Sequence, residues 1–166
     1  ATSQLKAIQK FIELNKIKNT IFLTPNANYK YEIEKAISVS KLKIKKNYIY
    51  DLDPTKLTKQ IETITNYKRR KQNLEDEINR LEKSDKSNKK RLIENLKKRD
   101  TLGNVKFDSV IIADFDESLK SVTTSLLYTD ISPKEKYFIT LNQWFDESLL
   151  KETSSQPIYF PSVNKK

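Results

Sequence analysis

Apolar residues come in short runs here, and the runs alternate with longer stretches whose apolar residues recur every three or four positions. That alternation restricts the chain more than any other feature. Residues 3–15 carry Leu5, Ile8, Phe11 and Ile12 at helical spacing, with Ser3 as a candidate N-cap. Residues 20–24 form a compact apolar run closed by Pro25-Asn26, which predicts a buried strand. Helical period resumes over 29–40 through Ile33, Ala36 and Ile37, and a second strand follows at 47–50, ending on Asp51-Leu52-Asp53-Pro54. Strand, helix and strand in this rhythm predict a βαβ unit. Further on, 107–113 is a strand centred on Val110, Ile111 and Ile112. A helix begins at Asp116 or Ser118 and runs to 128, buried through Leu119, Val122, Leu126 and Leu127. Residues 137–141 give a fourth strand, 144–150 a short helix and 158–160 a fifth strand. The expected fold class is α/β, a three-layer arrangement around a parallel sheet of about five strands.

The middle of the chain departs from this rhythm. Residues 55–83 are helical in pattern throughout, longer than a typical globular helix. A heptad register places Leu57, Ile64, Lys71 and Ile78 at one seam position and Gln60, Tyr67, Leu74 and Leu81 at the other. A polar break at 84–88 precedes a second helix at 89–99, with Leu92, Ile93 and Leu96 facing inward, so the two are expected to fold back as a helical hairpin. Residues 66–101 hold thirteen Lys/Arg against seven Asp/Glu, and so contribute six of the ten net positive charges. The expected organisation is a single α/β lobe over 1–166, with the long helix and charged hairpin inserted at 55–100.

Composition removes several chemistries. With 166 residues, one domain is favoured. Cys, His and Met are absent, which excludes disulfides, Cys/His zinc sites, a thiol nucleophile and a histidine base. The net charge of +10 suggests an anionic partner, yet the 32 basic residues are 27 Lys and 5 Arg, accompanied by 13 Asn and 17 Ile. All three abundant types have A/T-rich codons, whereas phosphate readers draw on the planar fork of Arg. In the hairpin, Glu75, Asp76, Glu77, Glu82 and Glu94 are interspersed with the cations, the pattern of a solvated face. Nucleic acid is therefore not an expected partner. The apolar runs are too short to span a membrane.

In an open parallel sheet, ligands sit beyond the carboxyl ends of the strands. The loops there offer Asn26 and Tyr29, Asp51, Asp114, and Asn142 with Trp144 as candidate ligand-binding residues. Polar groups flanked by aromatic rings suit a small polar ligand such as an amino acid. The competing reading makes these side chains helix caps and packing residues. Tyr48 to Thr55 also spells an apolar strand followed by Asp-x-Asp-x-Thr, the nucleophile motif of haloacid-dehalogenase-type phosphatases. Asp51 would attack phosphorus and Asp53 act as acid/base, with Mg2+ offsetting their charge. Pro54 stands where that family has a small flexible residue. Asp114-Phe115-Asp116 is also spaced by one residue where an adjacent acidic pair is expected.

A longer resemblance runs through Arg99-Asp100-Thr101-Leu102-Gly103, Phe107-Asp108-Ser109-Val110-Ile111-Ile112 and Leu126-Leu127-Tyr128-Thr129-Asp130-Ile131. It continues with Trp144-Phe145-Asp146-Glu147 and Tyr159-Phe160-Pro161, and the opening Leu23-Thr24-Pro25-Asn26 and Tyr29 fits as well. This order resembles the penicillin-binding protein activator family, whose leucine-binding-type domain has the type I periplasmic binding fold. That family also has a charged helical hairpin before the arginine-led string. The resemblance implies one lobe of a two-lobed, non-catalytic periplasmic lipoprotein that regulates peptidoglycan synthesis by contact with a penicillin-binding protein. It implies no cofactor or metal, and attachment to the outer membrane only through a lipid anchor outside this segment; Ala1 itself reads as a processing or cloning boundary, and the lack of a signal before it says nothing about compartment. Where the family favours Gly in loops after strands one, three and four, this chain has Lys30, Asp116, Thr140 and Asn142. Glycine lets a ligand approach backbone closely, so these residues point to partner contact. The alternative of the same fold is a solute-binding protein of an amino-acid ABC transporter.

Overall fold

The structure is a computed structural model and describes residues 2–114, 116–141 and 158–159. Its elements run α1 (Thr2–Leu14), β1 (Thr20–Pro25), α2 (Lys30–Ser40), β2 (Lys46–Tyr50), α3 (Pro54–Ile64), α4 (Tyr67–Glu82), α5 (Lys89–Lys97), β3 (Ser109–Ile112), α6 (Asp116–Tyr128), β4 (Tyr137–Thr140) and β5 (Ile158–Tyr159). The five strands pair in parallel in the order β2-β1-β3-β4-β5. The alternating β and α expected from the sequence is therefore present. The helix expected at 144–150 lies outside the described residues.

Both faces of the sheet are covered, which explains why the central strands read as continuous apolar runs. All of β1 and all of β3 are buried. Side chains alternate between the faces. Ile21, Leu23, Val110, Ile112 and Phe138 join Leu57 and Ile61 of α3 and Leu119, Val122 and Leu126 of α6. Phe22, Ile111 and Ile139 join Leu5, Ile8 and Ile12 of α1 and Ile33 and Ala36 of α2. Each such full burial contributes about 1.5–3 kcal/mol. Helix α1 reaches as far as the β5 edge, where Phe11 packs edge-on against Tyr137 at 5.7 Å and tilted against Tyr159 at 5.1 Å. Buried strand hydroxyls are satisfied in place: Thr20 pairs with Ser109 across β1 and β3 at 2.7 Å, and Thr24 donates to Asn47 Oδ1 at 2.7 Å.

The long helix expected over 55–83 is two helices. Thr65, fully buried, turns its hydroxyl back to the Ile61 carbonyl at 2.8 Å, and Asn66 takes φ 54°, ψ 41°. Asparagine tolerates that left-handed conformation better than most residues. Helix α3 ends there, and α4 begins at Tyr67. Its buried side chains are Tyr67, Arg70, Leu74 and Leu81, so Arg70 occupies the buried stripe while Lys71, which the heptad register put on the seam, is exposed. Helices α4 and α5 pack on one another. Lys89 closes the connection by donating to the carbonyls of Glu82 and Ser84 at 3.3 and 3.2 Å. Leu92, Ile93 and Leu96 of α5 are half-buried. The returning chain is pinned to α4 through Leu102 N–H to Arg70 O at 3.0 Å and Asn73 Nδ2 to Leu102 O at 3.2 Å.

Candidate functional site

The strand order reverses at the β1/β3 junction, and this is where an open parallel sheet offers a ligand crevice. Asp114 follows β3 at this point and is 2% exposed. Its carboxylate accepts a short hydrogen bond from the Tyr50 hydroxyl, which reaches over the end of β1 from the last residue of β2. The Tyr29 hydroxyl also hydrogen-bonds Asp114, from the residue preceding α2. Burial first, then the Asp114 carboxylate and the bond to it, push the Tyr29 phenol up to about 12. The same causes in the same order push the Tyr50 phenol upward as well. Both rings remain protonated donors at neutral pH, which is the state Asp114 requires.

The loop after β1 is tied to this cluster. Asn26 N–H donates to the Tyr50 carbonyl at 2.8 Å, and the Asn26 side chain accepts from Lys30 Nζ at 2.9 Å. Asp51 serves its own turn: it accepts from Asp53 N–H at 2.9 Å, its backbone N–H donates to Gln60 Oε1 at 2.7 Å, and Lys56 stands 3.9 Å away. Asp53 caps α3, accepting from Thr55 N–H at 2.9 Å and Lys56 N–H at 3.4 Å, with Pro54 in the first turn. The Asp-x-Asp-Pro-Thr string is thus a turn and an N-cap. Among the described residues no group of three or more acidic side chains could hold a metal.

Of the expected site residues, the structure brings Tyr29 and Asp114 together and places Asn26 beside them. It uses Asp51 in an adjoining turn. Asn142 and Trp144 lie outside the described residues. Tyr50 was not among the expected residues, although it is the donor that closes the junction. Its position as the last residue of an apolar strand, one before Asp51, was the available signal.

A second polar cluster lies on the turns that lead into β3 and β4, away from the carboxyl ends of the strands, and it centres on Arg70, which the sequence reading did not single out. Arg70 is 5% exposed. Its guanidinium donates to the carbonyls of Thr129 at 2.8 Å, Thr65 at 3.3 Å, Asp130 at 3.3 Å and Gly103 at 3.4 Å, and to Thr101 Oγ1 at 3.1 Å. All five N–H donors are occupied. Thr101 in turn donates to the Asp130 carboxylate at 2.6 Å, so the charge is balanced through one hydroxyl. Burial lowers the Arg70 pKa, and the nearby Asp130 carboxylate works against that. Gly103 has φ +107°, which favours glycine at this return of the chain. A cleft of about 390 Å³ opens beside it, where Lys98, Arg99 and Lys136 face Asp100, Asp130 and Glu135.

No helix among the described residues is long and apolar enough to cross a membrane. Neither family models nor curated proteins give a match to the chain.

Proposed function

We propose that this chain is one lobe of a type I periplasmic binding fold, acting in the periplasm as a non-catalytic, lipid-anchored regulator of peptidoglycan synthesis through contact with a penicillin-binding protein. The observation that carries this reading is the occupancy of the switch-point junction. Asp114, the carboxylate best placed to meet a small polar ligand, is already bonded by two phenols of its own chain. A solute-capturing cleft would need that carboxylate for its ligand. The 2-1-3-4-5 strand order and the resemblance of the strings from Arg99 to Ile112 to the penicillin-binding protein activators support the lobe assignment. Fold by itself does not carry function. In this reading α4 and α5 form an insertion in the lobe.

The test is reconstitution with a purified peptidoglycan synthase and lipid-linked precursor. Adding the chain is expected to raise the rate of glycan polymerisation or crosslinking several-fold in a saturable manner. An unchanged rate together with no co-sedimentation would overturn the reading. Calorimetric titration with an amino-acid panel is the second arm. Saturable heat there, lost in Asp114→Asn, would move the assignment to a solute-binding protein.

A further inference from the structure

We infer that the groove between α4 and α5 is a docking site for an acidic amphipathic segment of a partner protein. The inference deepens the contact-regulator reading and names the chemistry of the contact. The groove holds about 340 Å³. Its floor is apolar: Leu81 is buried beneath it, and Leu92, Leu96 and Leu102 are half-buried along it. Its rim is cationic. Arg80 is neutralised by Glu77, whose carboxylate also feels Lys86 from beyond ion-pair distance, while Lys86 and Arg99 make no ion pair or side-chain hydrogen bond among the described residues. Six of the ten net charges of the chain lie in residues 66–101, and α5 itself exposes Lys90, Arg91 and Lys97 against Glu94.

An occupant must therefore bring apolar side chains to the floor and carboxylates to the rim. An amphipathic helix laid in a groove does this through anchors at i, i+3, i+4 and i+7, with acidic residues flanking them. Other anionic partners fit less well. Single-stranded nucleic acid binds on aromatic stacking platforms, and no aromatic side chain lines this groove. A lipid surface takes a protruding apolar ridge inserted into its interface, whereas these leucines line a concavity. The surrounding cations would steer an acidic segment and set its rate of association.

The experiment uses the whole chain and three probes. The first is a fluorescein-labelled synthetic helical peptide with leucine anchors flanked by glutamates. The second is the same peptide with lysine flanks, and the third is vesicles of phosphatidylcholine and phosphatidylglycerol. Saturable anisotropy with the glutamate peptide is expected, weakening as salt rises, with no response from the lysine peptide. The double variant Lys86→Glu/Arg99→Glu should weaken binding by about tenfold or more. Both residues sit at the surface, and an unchanged circular dichroism spectrum would establish that the variant is folded. Equal binding of the lysine peptide, no binding of the glutamate peptide, or binding confined to vesicles would overturn the inference. Its failure is separable from that of the contact-regulator reading. If the double variant still stimulates a synthase fully, contact regulation stands and this groove is not its site. If the glutamate peptide binds but the chain stimulates no synthase, the groove stands and the partner is another acidic protein.

Discussion

Asp114 and Arg70 are the two buried charged groups on which the most depends, and they are satisfied in different ways. Asp114 is held by phenols that must stay protonated. Tyr50→Phe removes one donor and leaves the carboxylate under-bonded in a buried site. It is expected to lower unfolding free energy by about 1–3 kcal/mol in urea titrations. The phenols also set an alkaline limit. Unfolded Tyr29 releases its proton near 10.0, whereas the folded residue keeps it to about 12. Across that window the native state binds more protons than the unfolded one. The stabilisation is therefore complete below pH 10.0 and is lost as pH rises towards about 12. The urea midpoint should fall over this window, and Tyr29→Phe should flatten the fall. Arg70 is satisfied by carbonyl dipoles from three separate turns. Arg70→Lys keeps the charge but has three donors for five acceptors, and it should cost about 2 kcal/mol or more in the same titration. A cost below about 0.5 kcal/mol would mean that water replaces the fork without loss.

At the scale of elements, the break between α3 and α4 divides what reads as one long helix into two. The apolar period was legible on both sides of it, through Leu57 and through Tyr67, Leu74 and Leu81, whereas the fully buried Ile61 stood off the register. The break itself was not, because Thr65-Asn66 carries no Gly or Pro and both residues fit a polar helix face. Asn66 reads as a turn former only once its neighbours are known to be packed. With φ at 54°, Asn66→Gly should change stability by less than about 0.5 kcal/mol, whereas Asn66→Val should destabilise by about 1–2 kcal/mol. Equal effects of the two would mean that the left-handed turn is not maintained in solution. The heptad reading holds at Leu57, Tyr67, Leu74 and Leu81 and misses at two positions, where Ile61 is buried in place of Gln60 and Arg70 in place of Lys71. A helix of 3.6 residues per turn does not keep a strict seven-residue repeat, so a neighbour one position from the seam can take the buried place.

For the whole molecule, stability is distributed unevenly. The sheet is buried between two helical layers, while α5 has no buried residue. Amides of α5 should exchange with deuterium well before those of β1 and β3, which open only on global unfolding. Comparable protection would show that α5 unfolds together with the sheet. The alternation of strands and helices, the apolar cores of β1 and β3 and the inward faces of α1, α2 and α6 follow from the sequence alone. Each rests on a period of two, three or four residues, which is local and survives without knowledge of neighbours. Tertiary structure alone decided which polar groups meet. Tyr50 and Asp114 are 64 residues apart and become partners because β2 and β3 flank β1. Arg70 and Thr129 are 59 apart and meet because the turns that follow α3 and α6 and precede β3 all converge on the start of α4. Hydrogen bonds between distant segments depend on strand order and helix direction, and these are set by how all the apolar faces pack at once.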